Sequence, residues 1–215
     1  MMTRYASVVI DVDSTLSCIE GIEWLSARRG ALVQQRIRET TDAAMRGDIP
    51  LESVYGERLQ LVQPTAAEVA ELGQAYVDAV APGAADAIAA LRSAGVRVVL
   101  VSGGVREGIV PLARAVGLRE DDVYAVSLRF HADGSYAGYD SDSPLARRGG
   151  KPQVVGGLQL DGPILAVGDG ITDAELKAVV QSFAAFVGIV RHDPVVAQAD
   201  YIVSTFTALP ALVLA

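Results

Sequence analysis

The stretch that decides the fold is Ser7-Val8-Val9-Ile10-Asp11-Val12-Asp13-Ser14-Thr15, a short β-branched run that ends on two carboxylates and two hydroxyls. A continuous apolar run of this length reads as a strand buried on both faces, which is the habit of parallel sheets. Similar runs recur at residues 96–101, 164–167, 185–190 and 201–203. Helical patterns lie between them at residues 84–93, 107–116, 152–158 and 172–181. Strand and helix in alternation predict an α/β fold, a doubly wound parallel sheet with helices on both faces. Residues 125–139 break the rhythm, because Asp133-Gly134 sits between two β-rich flanks. That pair favours the positive φ of a tight turn, so a β-hairpin is expected at the sheet edge.

About 80 residues separate Asp11 from Val96, far more than a simple crossover needs. Residues 20–29, 32–46, 51–62 and 66–80 read as helices, with Gly30 and Gly47 as C-terminal stops. Thr65-Ala66-Ala67-Glu68 is a capping box, after which Val69, Tyr76 and Val80 fall on one helical face. The expectation is a small helical subdomain, residues 17–79, inserted after the first strand of a core made by residues 1–16 and 80–215.

Composition narrows the function classes. The 215 residues carry 18 Lys plus Arg against 26 Asp plus Glu, a net charge of −8. With no basic stripe to track a phosphate backbone, nucleic acid is not an expected partner. Cys18 alone cannot form an intrachain disulfide, and with only His131 and His192 the chain is poorly equipped for a His/Cys zinc site or a Ser-His-Asp hydrolase. Hydrophobic residues make up 51% of the chain, yet no apolar run approaches the roughly 18 to 20 residues of a membrane helix. Asp11 and Asp13 interrupt the N-terminal apolar stretch, which speaks against a signal peptide. A cytoplasmic protein without a membrane partner is expected, and the sequence carries no sign of an oligomeric state.

Three clusters fall at strand ends. Asp11-Val12-Asp13-Ser14-Thr15 follows the first strand, Ser102-Gly103-Gly104 the second, and Gly168-Asp169-Gly170-Ile171-Thr172-Asp173 a later one. Parallel strands place them at one carboxyl edge, where open α/β sheets bind ligands. Each has a bland local reading as well: strand-end and cap residues for the first, a Gly-rich turn for the second, and a second capping box from Thr172 and Glu175 for the third. Lys151, after Gly149-Gly150 and before a helical run, could be a solvated lysine. Their common edge favours a shared site.

Taken together, DVDSTL at 11–16 with Glu20 downstream, AMRGDIPLESVYGERLQLVQP at 44–64, VSGG at 101–104, RRGGK at 147–151 and VGDGITD at 167–173 resemble the haloacid dehalogenase (HAD)-like hydrolase superfamily, and within it the phosphoserine phosphatases. The resemblance implies a Mg²⁺-dependent phosphomonoester hydrolase. In it, Asp11 attacks phosphorus to form an aspartyl-phosphate, and Asp13 protonates the leaving oxygen and later deprotonates water. It further implies Mg²⁺ held by the side chains of Asp11 and Asp169 and the backbone carbonyl of Asp13, with Asp173 orienting water, an oxygen-only set suited to a hard ion. Ser102, Lys151 and the backbone N–H of Gly103 would hold the phosphoryl oxygens. Glu20 would meet the ammonium and Arg58 the carboxylate of phosphoserine. Leu51 stands where Phe is frequent in relatives, and Ile171-Thr172 where Ala-Asn or Ala-Thr is common. Two alternatives stay open: a phosphatase for another small phosphomonoester, such as a sugar or cofactor phosphate, and a receiver-like signalling module with the same acidic cluster. Glu20 and Arg58 count against the first; the insertion and Asp13 count against the second.

Overall fold

A computed structural model describes residues 4–46, 49 and 51–215. Strand β1, Ser7–Ile10, leads into four inserted helices: α1 Gly21–Ser26, α2 Ala31–Arg46, α3 Leu51–Val62 and α4 Ala66–Asp78. The chain returns through α5 Ala84–Ser93 to β2 Arg97–Val105, then passes α6 Arg106–Ala115, β3 Val123–Val126, β4 Leu128–Phe130 and β5 Tyr136–Tyr139. It finishes with α7 Gly150–Gly157, β6 Ile164–Gly168, α8 Ile171–Ala174, β7 Ser182–Phe186, α9 Asp193–Val196, β8 Tyr201–Val203 and α10 Leu209–Leu214.

Six strands make one sheet in the order β3-β2-β1-β6-β7-β8, and every neighbouring pair is parallel. This is the doubly wound arrangement, and its order reverses at β1, the point where such sheets open a crevice beyond their carboxyl ends. Ile10 is in register with Leu100 on one side and Val167 on the other. Asp11, Ser102 and Asp169 therefore emerge within a residue or two of one another along the same edge. The strands are Val-, Ile- and Ala-rich because both faces are covered: Val8, Val9, Ile10, Val99, Leu100, Leu165 and Ala166 are all buried.

Several expectations need correction. The strand expected at 185–190 is Ser182–Phe186, because the apolar run has no internal boundary and its start is set from outside, where Asp200 Oδ2 accepts the Phe183 N–H at 2.9 Å. The hairpin forms around Gly134 at φ +81, but β4 and β5 are a separate two-stranded sheet. The sheet-edge strand is the parallel β3, which begins two residues before the stretch expected to form the hairpin and is not expected from the sequence. Ser102-Gly103-Gly104 is extended backbone within β2 rather than a turn. The third cap uses Asp173, whose Oδ2 accepts the Gly170 N–H at 3.0 Å; Glu175 pairs instead with Arg148 at 2.8 Å.

The inserted helices follow the sequence closely. Gly30 ends the segment at 27–29 with φ +88, Thr65 and Glu68 make the expected reciprocal cap, and Gly47 lies outside the described residues. Arg29 ties the bundle together, donating to Val62 O and, from both terminal nitrogens, to the Glu68 carboxylate at 2.6 Å. Helix α4 rests on α6 where Gly73 faces Pro111 and Gly108 faces Leu72. At the seam, Ser17 and Val80 form an antiparallel bridge, Cys18 N–H donates to Ala79 O at 2.8 Å and Ala81 N–H to Leu16 O at 2.9 Å. Entry to and exit from the insertion thus run side by side. Among the described residues no helix is long and apolar enough to cross a membrane.

Candidate active site

Directly after β1 the chain coils tightly, with Ser14 at φ +51 and the Ser17 N–H returning to Val12 O at 2.9 Å. This coil aims four side chains in different directions. Asp11 Oδ1 accepts from Lys151 Nζ at 2.7 Å, Asp13 Oδ1 from the Tyr76 hydroxyl at 2.5 Å and the Gly21 N–H at 2.8 Å. Ser14 Oγ donates to Glu20 Oε1 at 2.6 Å, and Thr15 Oγ1 to Asp169 Oδ1 at 2.7 Å.

Lys151 is no solvated lysine. It is 7% exposed and its ammonium bridges Asp11 and Asp173, the latter at 2.6 Å. Burial opposes its charge, but the two carboxylates outweigh that and hold it above the ordinary lysine value. Its placement depends on Gly150, where a Cβ would lie 1.8 Å from Pro144 O. Gly104 is constrained in the same way, since a Cβ there would come within 2.7 Å of Asp13 Oδ2. The Gly104 N–H donates to Ser102 Oγ at 2.9 Å, which leaves the Ser102 proton to point elsewhere.

Asp11, Asp169 and Asp173 each bring a carboxylate oxygen within 4.8 Å of the others. Burial and crowding work against the charge of two of them. Asp169 is pushed up to about 8 by burial and then by Asp11 and Asp173, and Asp173 to about 7 by burial and then by Asp11. Three buried acids around one lysine lack positive charge, and two like charges about 4 Å apart repel by about 4 kcal/mol at an effective dielectric near 20. A hard divalent cation with oxygen ligands fits this deficit. His192, which entered the sequence reading only as an argument against zinc, stands with Nε2 3.7 Å from Asp169 Oδ2. The Asp13 carboxylate lies outside the group of three and is pushed up to about 6 by burial, against the Tyr76 hydrogen bond and with the Asp11 charge.

A cavity of about 160 Å³ collects the expected residues: Asp11, Asp13, Ser102, Gly103, Lys151, Asp169 and Asp173 on the sheet side, Glu20 and Arg58 on the side of the inserted helices. Glu20 opens onto the cavity, yet surrounding protein and the charges of Asp13, Asp169 and Asp11 push its carboxyl up to about 8. Burial lowers Arg58 from its ordinary value. Thr172 also lines the cavity, so the departure at Ile171-Thr172 changes its surface; the side chain of Leu51 lies outside the described residues. Sequence reasoning missed Tyr76, Thr15 and Tyr55. Tyr76 was visible only as part of an apolar helical face, which says nothing of where its hydroxyl ends.

An acidic cluster with one buried lysine, at the reversal point of a doubly wound sheet, marks a HAD-type hydrolase. The chain matches the haloacid dehalogenase-like hydrolase family over residues 8–178 and belongs to it. It is 34% identical over 206 residues to the phosphoserine phosphatase of Rattus norvegicus, covering 94% of this chain and 91% of the relative. To the chloroplastic phosphoserine phosphatase of Arabidopsis thaliana it is 32% identical over 208 residues, 94% of this chain and 70% of the relative. Its fold is similar to that of a phosphoserine phosphohydrolase-like protein from Francisella tularensis subsp. tularensis SCHU S4, with a TM-score of 0.85 at 24% identity over 97% of this chain and 99% of that one.

Proposed function

We propose that this chain hydrolyses O-phosphoserine to serine and inorganic phosphate, with residues 17–79 as a cap that reads the substrate and residues 1–16 and 80–215 as the core that carries the chemistry. One observation carries the reading: a single cavity is lined by Ser102, Gly103, Lys151 and the acids Asp11, Asp13, Asp169 and Asp173, and also by Glu20 and Arg58 from the inserted segment. That is the charge pattern of an amino acid esterified to phosphate. The names of the rat and Arabidopsis relatives support it.

In this reading the Ser102 hydroxyl, the Gly103 N–H and the Lys151 ammonium hold the phosphoryl oxygens. Asp11 attacks phosphorus; the bond from phosphorus to its carboxylate forms as the bond to the serine oxygen breaks, and that oxygen takes the proton of Asp13. A water molecule then replaces serine. Asp13, now a carboxylate, removes its proton as its oxygen attacks phosphorus, the bond to Asp11 breaks, and inorganic phosphate leaves. An acid that must also serve as a base works best with its pKa near the working pH, and the buried Asp13 at about 6 meets that need. The side chains of Asp11, Asp169 and Asp173, with the Asp13 carbonyl, would hold Mg²⁺, which supplies positive charge against the phosphoryl oxygens when bound.

The test is release of inorganic phosphate from a panel of amino-acid and sugar phosphates, with Mg²⁺ and with chelator. Phosphoserine is expected to be the preferred substrate and chelator to abolish turnover. A preference for a sugar phosphate, or a long-lived phosphoenzyme without turnover, would overturn the reading.

A further inference from the structure

Two residues one helical turn apart on α3, Tyr55 and Arg58, stand together in the cavity wall. Tyr55 is 3% exposed, and its hydroxyl is shut away from water with no hydrogen-bond partner among the described residues. The ring itself is well held: the Tyr139 ring packs against it with centroids 5.3 Å apart and planes at 59°, and the Arg58 guanidinium carbon lies 5.6 Å from its centroid. A buried hydroxyl without an acceptor destabilises the fold, and natural structures keep few of them without a reason. Tyr136 has a second such hydroxyl, but it is not part of the cavity wall. Tyr55 is, beside the cation that faces the substrate in the reading above.

Resting on that phosphoserine reading, we propose that Tyr55 is a specificity-determining residue whose hydroxyl donates to the same substrate carboxylate that Arg58 receives. The bound ligand then supplies the acceptor that no described residue offers the Tyr55 hydroxyl. Burial raises the phenol above its ordinary value; Arg58 opposes this, and Asp13, Tyr139 and Tyr136 add to it. The hydroxyl accordingly remains a proton donor at any working pH. A site built around such a bond rejects analogues lacking the acceptor far more strongly than an apolar wall can. The consequence is discrimination against phosphate esters that carry the ammonium of phosphoserine without its carboxylate.

The experiment measures kcat and KM for phosphoserine and for O-phosphoethanolamine, which keeps the ammonium and lacks the carboxylate, in the parent and in Tyr55→Phe and Tyr136→Phe. The parent is expected to prefer phosphoserine in kcat/KM. Tyr55→Phe keeps the ring and its packing on Tyr139, and its preference should fall by about ten- to a hundredfold, the worth of one hydrogen bond to a charged acceptor. The loss should sit in KM for phosphoserine, with kcat held. Tyr136→Phe should retain the parental preference. If Tyr55→Phe retains it too, the role of Tyr55 is overturned while the phosphoserine reading stands. A Tyr136→Phe loss of the same size would assign both effects to packing and overturn the proposal. A parent that turns over the two esters equally would overturn the phosphoserine reading and the proposal with it.

Discussion

Replacing Tyr76 by Phe removes one hydroxyl from beneath the reaction centre and leaves the fully buried ring in place. That hydroxyl is one of two donors to Asp13 Oδ1, at 2.5 Å, the other being the Gly21 N–H at 2.8 Å. A hydrogen bond to a charged acceptor contributes about 1.5 to 3 kcal/mol, and one pKa unit corresponds to about 1.36 kcal/mol. Such a bond favours the ionised carboxylate, so its loss moves the titration upward, from about 6 by about one to two units. The assay is the pH profile of kcat for phosphoserine at saturating divalent metal, parent against Tyr76→Phe. Whichever half-reaction limits, the limb set by Asp13 moves in the alkaline direction. Superimposable profiles, or a move toward acid, would refute the coupling between Tyr76 and Asp13.

Asp11→Asn should abolish turnover, because the amide neither attacks phosphorus nor supplies an anionic metal ligand, whereas Asp13→Asn should slow it by roughly 10² to 10⁴ through lost proton transfer; steady-state phosphate release separates the two, and an active Asp11→Asn protein would sink the mechanism. The double change Glu20→Gln with Arg58→Ala should lower kcat/KM for phosphoserine by about 10² to 10⁴, from two charged hydrogen bonds if they add, while an aryl phosphate is hydrolysed nearly as before; equal loss on both substrates would make the pair structural. Glu68 is held down to about 2, first by its hydrogen bonds from Arg29, against an ordinary 4.5. Its folded-state pKa is depressed, so its stabilisation is complete above the unfolded value and drains away as pH falls from about 4.5 toward 2. Thermal melts of Glu68→Gln should therefore show a Tm deficit at pH 7 that narrows on acidification; a deficit independent of pH would contradict the Arg29 pairing as its source.

Much of this was legible because local chemistry and global fold agree. Asp11, Ser102 and Asp169 could be placed at one edge from the continuous apolar runs and the helices between them, since parallel strands share a direction and each run is followed within two residues by its polar residue. Gly30 and the Thr65–Glu68 box announced themselves by backbone requirements that few residues meet. What stayed hidden depends on contacts across the chain. Tyr76 meets Asp13 over 63 positions, and Thr15 meets Asp169 over 154; nothing local marks which of these residues pair. The start of β7 is set by Asp200, downstream of a run in which every register looks equally apolar. Ser102-Gly103-Gly104 reads as a turn by composition, yet at Gly104 the missing side chain serves close approach to Asp13 rather than a change of direction.

The adjacency of Leu16–Ala81 and Cys18–Ala79 gives the molecule the layout of an interchangeable cassette. The incoming and outgoing chains are stitched to each other by these backbone hydrogen bonds, which involve no side chain of the segment's interior. A foreign insert whose ends reach the same short gap would inherit a closed junction, and Asp11, Lys151 and Asp169 would keep their positions. Recombination at this junction would keep the phosphoryl chemistry only where the new insert again gives Asp13 the two donors that Tyr76 and Gly21 supply here.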